Sequence, residues 1–414
     1  MNPVEMNEAA VPVAAKDRIV WLDMLRGFAL LGILLINIVG FAWPLIYAEM
    51  LHRDIPGNAL DDVVFHVASW LVQGKFYTLF SLLFGIGCII FMMNAEKKGK
   101  SPRKLFFRRV LILLVIGILH ALFLWWGDIL VMYALCGMLL LLFYHCKPRT
   151  LLIWAGSLFA AFALLMIVGT GLMFVADSLT GGGEGSLKSE MNLEYQKLYE
   201  QSIANYGAGG LSDILAQRAT DWGQTLSNLV VVPFMILPIF LIGAYVIRSG
   251  LLQRMQTEVA TLRKVMIWSF GIGVVFTILK EYSSANMKLD ATSMYDAVQP
   301  LFGFFGDLGL AGFYATALLA LTRMETWKSL LSSLQWAGRM ALTNYLLQSV
   351  ICCLLFYNVG LGLYGKIGVA GLALIAFVIF VAQVLFSRWW LTRYSFGPME
   401  WLWRRMTYGK WSSE

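Results

Sequence analysis

The chain has 414 residues, 59% of them hydrophobic and only 14% charged, with a formal net charge of +7. A soluble domain carries about 25% charged residues, so this composition excludes a water-soluble globule and points to a polytopic membrane protein. The basic residues are scattered over short hydrophilic breaks and form no single patch, which argues against a nucleic-acid partner and fits a chain set in a lipid bilayer.

Residues 1–17 read as a polar N-terminal tail, too long and too hydrophilic to precede a cleaved signal; the run after it is an uncleaved anchor helix. Apolar runs of about twenty residues mark membrane helices. Ten such runs are predicted, at 25–44, 75–94, 109–126, 129–146, 150–175, 227–248, 263–281, 298–321, 335–357 and 367–387. The fold class is therefore all-α, a transmembrane bundle of about ten spans. It divides into an N-terminal half (18–175), an extracytoplasmic loop (176–225), a C-terminal half (226–390) and a cytoplasmic interfacial tail (391–414).

The loops orient the bundle. Lys97, Lys98, Lys100, Arg103, Lys104, Arg108 and Arg109 stand against one acid, Glu96, so this break is expected in the cytoplasm. Alternation then puts Arg248/Arg254, Arg323/Lys328 and Arg404/Arg405/Lys410 on the same side, and the acid-rich 176–225 loop outside. Both chain ends are expected inside. In the outer loop, LKSEMNLEYQKLYEQSI, flanked by GGGEG (181–185) and GAGG (207–210), sets Leu187, Met191, Tyr195, Leu198 and Tyr199 on one helical face. It reads equally as a cap over the bundle or as a solvated connector. The tail mixes tryptophan with arginine, as an interfacial helix does.

The first span opens with LDMLRGFALLGILLIN (22–37), where Asp23 and Arg26 lie three apart at its edge and Asn37 about 15 Å deeper, at ~1.5 Å per residue. Asp23 and Arg26 read as a local ion pair or as an anchor for an anionic group arriving from the cytosol. Asn37 reads as interhelical glue or as an active-site amide. In GILHALFLWWGDILVMYAL, His120 lies in the outer half of the third span and Asp128 at the turn into the fourth. A carboxylate within reach orients an imidazole and stabilises its cation, so the pair is a candidate general base. Whether His120, Asp128 and Asn37 meet is a tertiary question.

Further on, Gly303, Gly306, Gly309 and Gly312 recur every three residues around Asp307, which at that depth needs a basic or amide partner. Arg339, Asn344 and Gln348 are expected as one polar stripe on the ninth span, GRMALTNYLLQ. With Asp23, Arg26 and Asp307 they form the candidate donor-binding set. The five cysteines (Cys88, Cys136, Cys146, Cys352, Cys353) have neither CxxC nor Cys/His ligand spacing, so neither a disulfide framework nor a metal site is expected. No GxSxG, HExxH or Walker motif appears, and no internal repeat is evident.

Four stretches together resemble the YeiB family of bacterial inner-membrane proteins, whose C-terminal half is a domain of unknown function. They are LDMLRGFALLGILLINI (22–38), GKFYTLFSLLFGIG (74–87), GILHALFLWWGDIL (117–130), and GRMALTNYLLQ (338–348) with FGPMEWLWRR (396–405). That resemblance implies the inner membrane. The opening Asp–x–x–Arg–Gly followed by a deeper Asn also resembles transmembrane acyltransferases such as heparan-α-glucosaminide N-acetyltransferase. It implies acyl-CoA, such as acetyl-CoA, as the donor near Asp23 and Arg26, Asn37 as an active-site amide, and a small-molecule or glycan acceptor outside, with no permanently bound cofactor. That enzyme's histidine follows the first helix; here the nearest candidate, His52 in AEMLHRD, stands at a different spacing, so His120 is the preferred base. A transporter of a small polar metabolite, proton-coupled through Asp307 and His120, stays open, as does a non-catalytic membrane protein. Tryptophan-rich faces permit a homodimer.

Overall fold

The protein is described from a computed structural model, which covers residues 20–179, 187–287 and 292–409. The expected polar tail at 1–17, the GGGEG stretch and Lys410 lie outside the described residues. Every element among the described residues is helical. The chain begins with α1 (Val20–Ala42), a short α2 (Leu45–Met50), α3 (Ala59–Leu71) and α4 (Lys75–Lys97). It continues through α5 (Pro102–Phe123), α6 (Leu130–Leu140) and the long α7 (Pro148–Leu179). The 176–225 region contributes α8 (Leu187–Gly207) and α9 (Leu211–Ser227). The remainder is α10 (Val232–Arg248), α11 (Leu251–Thr257), α12 (Val259–Ala285), α13 (Met294–Leu321), α14 (Glu325–Arg339), α15 (Ala341–Phe356), α16 (Val369–Leu391) and α17 (Pro398–Tyr408).

Local chemistry sets many of these boundaries. Proline opens α5, α7 and α17 at positions where the missing N–H would have had no intrahelical partner. Asn58 with Asp61, and Ser293 with Asp296, form reciprocal capping boxes that start α3 and α13.

Seven helices among the described residues are long and apolar enough to cross a membrane, and nine if each of two bent pairs is one span. The protein is thus a multi-pass membrane bundle, but the expected ten full-length spans are corrected in three places. The fourth run, 129–146, yields only α6 and a 3₁₀ turn at Leu141–Phe143, well short of the ~30 Å hydrocarbon core. The ninth run is broken at Met340, where α14 and α15 meet at 80°. The sixth run, as α10, forms the other bent pair with α9, at 68°.

Helix α1 is the buried centre, packed against α4, α14, α15 and α16. By contrast α7 and α12 present Ile153, Leu164, Leu172, Trp268 and Val275 outward, as lipid-facing helices do. The two halves of the chain interleave, because α10 and α13 both pack on α4. Two close approaches shape the bundle. A Cβ on Gly27 would lie 2.0 Å from the Leu334 carbonyl oxygen, and one on Gly338 only 1.9 Å from that of Asp23. Backbone contact between α1 and α14 therefore depends on both residues being glycine. The stripe Gly306, Gly309 and Gly312 packs α13 against Ser269, Gly273 and Thr277 of α12.

The α8–α9 unit is a cap. It packs on α2 and on the far end of α5, with Leu198 and Tyr199 buried and Met191 exposed. Its key is Asp221, which accepts hydrogen bonds from the hydroxyls of Tyr47 (2.6 Å) and Tyr206 (2.7 Å) and from the Gln217 amide (2.8 Å). Burial pushes the Asp221 carboxyl above the usual carboxylate range; these three hydrogen bonds and Arg218 pull the other way. At the opposite end, α17 lies on the start of α5. Trp403 Nε1 donates to the Arg109 carbonyl (2.8 Å), and the Arg109 guanidinium sits 3.7 Å over the Trp403 ring.

Candidate active site

The turn between α5 and α6 assembles the centre of the site. At the end of α5 the His120 carbonyl accepts from the amides of Leu124 and Trp125, closing the helix. The chain then folds back so that Asp128 Oδ1 accepts from the Val131 amide (2.7 Å), capping the first turn of α6 with its carboxylate. Close packing at Gly117, whose Cβ would fall 2.7 Å from the Val131 nitrogen, brings the two helices together. His120 Nδ1 then meets Asp128 Oδ2 at 2.7 Å.

The other ring nitrogen is also engaged. His120 Nε2 lies 2.8 Å from the hydroxyl oxygen of Ser349 on α15. An ionised carboxylate only accepts, so the hydrogen belongs on Nδ1 in the neutral ring, and Nε2 presents its lone pair to the Ser349 hydroxyl. His120, Asp128 and Ser349 are 2%, 6% and 1% exposed, so the three-membered chain is sealed from bulk water.

Tyr345, one turn before Ser349, packs its ring against that of His120 with centroids 5.1 Å apart. Its buried hydroxyl has no well-formed hydrogen bond, with the Ile129 amide beside it. Together with Ile129, Leu130 and Tyr133 it closes the deep end of a cavity of about 370 Å³. The other end, where α1 and α5 begin and α4 ends, is lined by Arg26, Arg109, Arg339 and Arg404, with Asp23 and Glu400 as the acids. Arg26 pairs with Asp23 at 2.6 Å. Glu400 accepts from the Leu342 and Thr343 amides (2.7 and 3.0 Å) and the Thr343 hydroxyl (2.5 Å), capping the start of α15. Burial raises its carboxyl, and those donors oppose the rise. The rim is therefore basic on balance. Arg404 lies 4.0 Å over Phe396 and Arg339 5.3 Å over Trp336, so aromatic faces hold the guanidinium groups.

The other sequence candidates separate. Asn37 Oδ1 accepts from the Tyr77 hydroxyl, and no hydrogen bond joins it to His120. Tyr77 lies near Tyr345 and its carbonyl accepts from Tyr133 (3.2 Å), so Asn37 reaches the site only through tyrosines. Asp307 has the expected basic partner: Lys75 Nζ at 3.1 Å, which also donates to the Ser69 carbonyl (3.2 Å) and is fully buried. Gly74, at φ +82°, opens the space that this carboxylate fills. The pair stands apart from the arginine-lined cavity. The expected stripe of Arg339, Asn344 and Gln348 is corrected by the break at Met340, which leaves Arg339 on the cavity and both amides on α15. The Asn344 amide donates to Ser387 (2.9 Å) and the Gln348 amide to Gln383 (2.9 Å), both on α16. His52 is exposed, at a turn with φ +46°.

Sequence reasoning missed Ser349, Tyr345 and Arg404 as parts of the site and reached Arg109 only as the end of the basic 97–109 loop. A serine inside an apolar helix has no signature of its own, and the arginines read as ordinary interfacial charge. Among the described residues no group of three His, Cys, Asp or Glu side chains is arranged to hold a metal ion.

Residues 246–410 match the family described as "Protein of unknown function (DUF418)". The sequence is 34% identical to the uncharacterized protein YxaH of Bacillus subtilis (strain 168), over 97% of this chain and 96% of that one. It is 32% identical to the uncharacterized protein YeiB of Escherichia coli (strain K12), over 94% of this chain and 96% of that one. No solved structure matches. The 246–410 segment carries Arg339, Tyr345, Ser349 and Arg404, while Asp23, Arg26, His120 and Asp128 come from before it.

Proposed function

The chain belongs to the YeiB family, and on the geometry of its own residues we propose that it is an integral-membrane acyltransferase, moving an acyl group from cytosolic acyl-CoA to an acceptor beyond the bilayer. One observation carries this reading: a cavity with a basic rim ends at Tyr345, whose ring packs on its far side against the buried His120 of the His–Asp pair. The lysine- and arginine-rich break at 97–109 sits at the rim end, so the positive-inside pattern turns the cavity mouth to the cytosol of a bacterial inner membrane.

In this reading the nucleotide phosphates stay at the mouth. Arg26, Arg109, Arg339 and Arg404 suit them, because guanidinium groups bind phosphate oxygens in a fixed fork geometry. The thioester arm extends inward. From Arg109 to His120 is eleven residues of α5, about 16 Å at ~1.5 Å per residue, comparable to an extended pantetheine arm. Leu30, Ile33, Phe84 and Leu113 make the cavity walls apolar and match that arm and a short acyl chain. His120, oriented by Asp128, takes the proton released as the acyl group changes hands. The Tyr345 hydroxyl donates to the developing oxyanion, with Asn37 holding Tyr77 behind it. The acceptor, an amine or hydroxyl on a small molecule or glycan, comes from the side of the α8–α9 cap.

The test is a titration of the purified protein in detergent with acetyl-CoA and longer acyl-CoAs, following saturable binding and release of free CoA. Wild-type protein should bind one of them and release CoA, and His120→Ala should bind but not release. Absence of binding to any acyl-CoA by folded wild type would overturn the donor assignment. A sealed-vesicle flux of a polar solute that is lost in Asp307→Asn would then favour the transporter.

A further inference from the structure

Both nitrogens of His120 are occupied, and this constrains how the base can act. Nδ1 belongs to Asp128, and Nε2 faces Ser349 at 2.8 Å. A general base removes the proton it already faces. For His120 that proton is on Ser349 Oγ, and no path leads an acceptor's proton to Nε2 without displacing the serine. We propose that Ser349 is the nucleophile of the reaction, so that transfer runs through an acyl ester on Ser349 and proceeds in two halves. The inference rests on the acyltransferase reading and specifies its chemistry.

The arrangement has the parts that nucleophilic catalysis requires: a weak nucleophile, an adjacent base, and a third group orienting the base. In the first half Ser349 Oγ attacks the thioester carbonyl carbon, and its proton passes to His120 Nε2. The carbon–sulfur bond breaks, and the sulfur leaves as CoA thiol with that proton. In the second half the acceptor's nitrogen or oxygen attacks the Ser349 ester carbonyl and gives its proton to His120. Ser349 Oγ leaves and recovers the proton. No oxidant, reductant or further reactant is needed. Asp128 stays ionised throughout and stabilises the imidazolium formed in each half.

Placement supports two halves. Ser349 lies one turn beyond Tyr345 on α15, and Tyr345 forms the cavity floor, so the thioester reaches the serine when that ring swings aside. On the other side, Leu124 and Leu122 carbonyls next to the site receive Cys353 (3.1 Å) and Arg218 of the cap (3.4 Å), so α9 roofs the same turn. In the proposed reaction the donor comes from the cavity and the acceptor from the cap side, so the two substrates need never meet. A covalent carrier at the midpoint makes that possible, and its burial protects the ester from water.

The experiment needs no acceptor. Detergent-purified protein is mixed with radiolabelled acetyl-CoA (and, if this is not bound, a longer acyl-CoA), quenched in acid, and mapped by peptide mass spectrometry. The expected result is a burst of about one CoA per chain, with hydroxylamine-labile label on the peptide containing Ser349. Ser349→Ala should lose both label and burst, slowing CoA release roughly a thousandfold while still binding donor. Ser349→Cys should carry the label as a thioester. Two outcomes overturn the proposal and leave the acyltransferase reading standing: CoA release without label on the wild-type chain, or Ser349→Ala retaining a third or more of wild-type release. Donor binding with no CoA release in the absence of acceptor would likewise overturn the acyl-serine alone, and failure of folded wild type to bind any acyl-CoA would overturn both.

Discussion

Helix α15 carries two sets of buried polar side chains on neighbouring faces, and they differ in what they leave undone. Asn344 and Gln348 face α16, where Ser387 and Gln383 take up their amide hydrogens and the Gln383 amide donates to the Asn344 carbonyl (2.9 Å). One position further along, Tyr345 and Ser349 face α5 and α6. There the hydrogen bonds run in a line from Asp128 through His120 to Ser349, beside a tyrosine hydroxyl without a good partner and a cavity. The first set spends its amide hydrogens between α15 and α16 and leaves only the Asn344 Oδ1 without a donor, as polar groups do when they serve to join membrane helices. The second runs to Ser349 behind Tyr345, and the cavity lies on the other side of that ring. Burial and polarity are alike in both, so a neighbouring void, not depth in the bilayer, separates a chemical site from an adhesive one.

Substitutions should separate the two faces. The largest effect is expected on the α5–α6 face. Asp128→Asn keeps the shape but offers a donor where Nδ1–H needs an acceptor, and CoA release should fall roughly 10³–10⁴-fold with the melting temperature nearly unchanged. Equal losses of activity and folded protein would erase the distinction. On the α16 face, Asn344→Leu leaves the Ala337 carbonyl and Ser387 without their partner, so stability should drop about 1–3 kcal/mol, read as a lower melting temperature, while CoA release per folded molecule stays at wild-type level. At the cavity mouth, Arg404→Gln should weaken donor binding about tenfold without lowering the maximal rate, and added salt should shrink the difference between the proteins.

The smallest effect concerns the cap. Asp221 holds its proton to higher pH in the folded cap than in the unfolded chain, so the stability it contributes is complete below the ordinary carboxylate value and declines as pH rises through its folded value. Amide exchange across 187–227, corrected for intrinsic rate, should therefore be slower at pH 5 than at pH 8. Asp221→Asn should flatten that dependence.

How far the sequence carried this picture depends on the range of each interaction. Asp128 lies eight residues from His120 across one tight turn, so spacing makes the two a candidate pair, while their meeting is a matter of tertiary structure. The carboxylate and guanidinium of Asp23 and Arg26 are one helical turn apart and formed the local pair that spacing allows. Ser349 joins His120 across 229 residues, and Arg404 reaches the mouth only because α17 folds back on α5. Nothing local marks either event. The break at Met340 was equally hidden, because no proline marks it and Arg339, Asn344 and Gln348 keep a roughly helical spacing across it. Its cause is tertiary: Gly338 docks on α1 while Glu400 caps the new start of α15.

The buried pair of Lys75 and Asp307 bears on how the molecule is made. Lys75 opens α4 and emerges early during synthesis, yet its counter-charge is on α13, in the other half of the chain. Until α13 is inserted, the ammonium must stay near the water interface, where a long flexible stem can hold it. Only when the carboxylate arrives in the niche left open by Gly74 can that end of α4 settle among its neighbours. The ion pair thus ties α4 of the first half to α13 of the second. Its burial makes the end of α4 depend on both halves of the chain, as the site does, whose residues come from both.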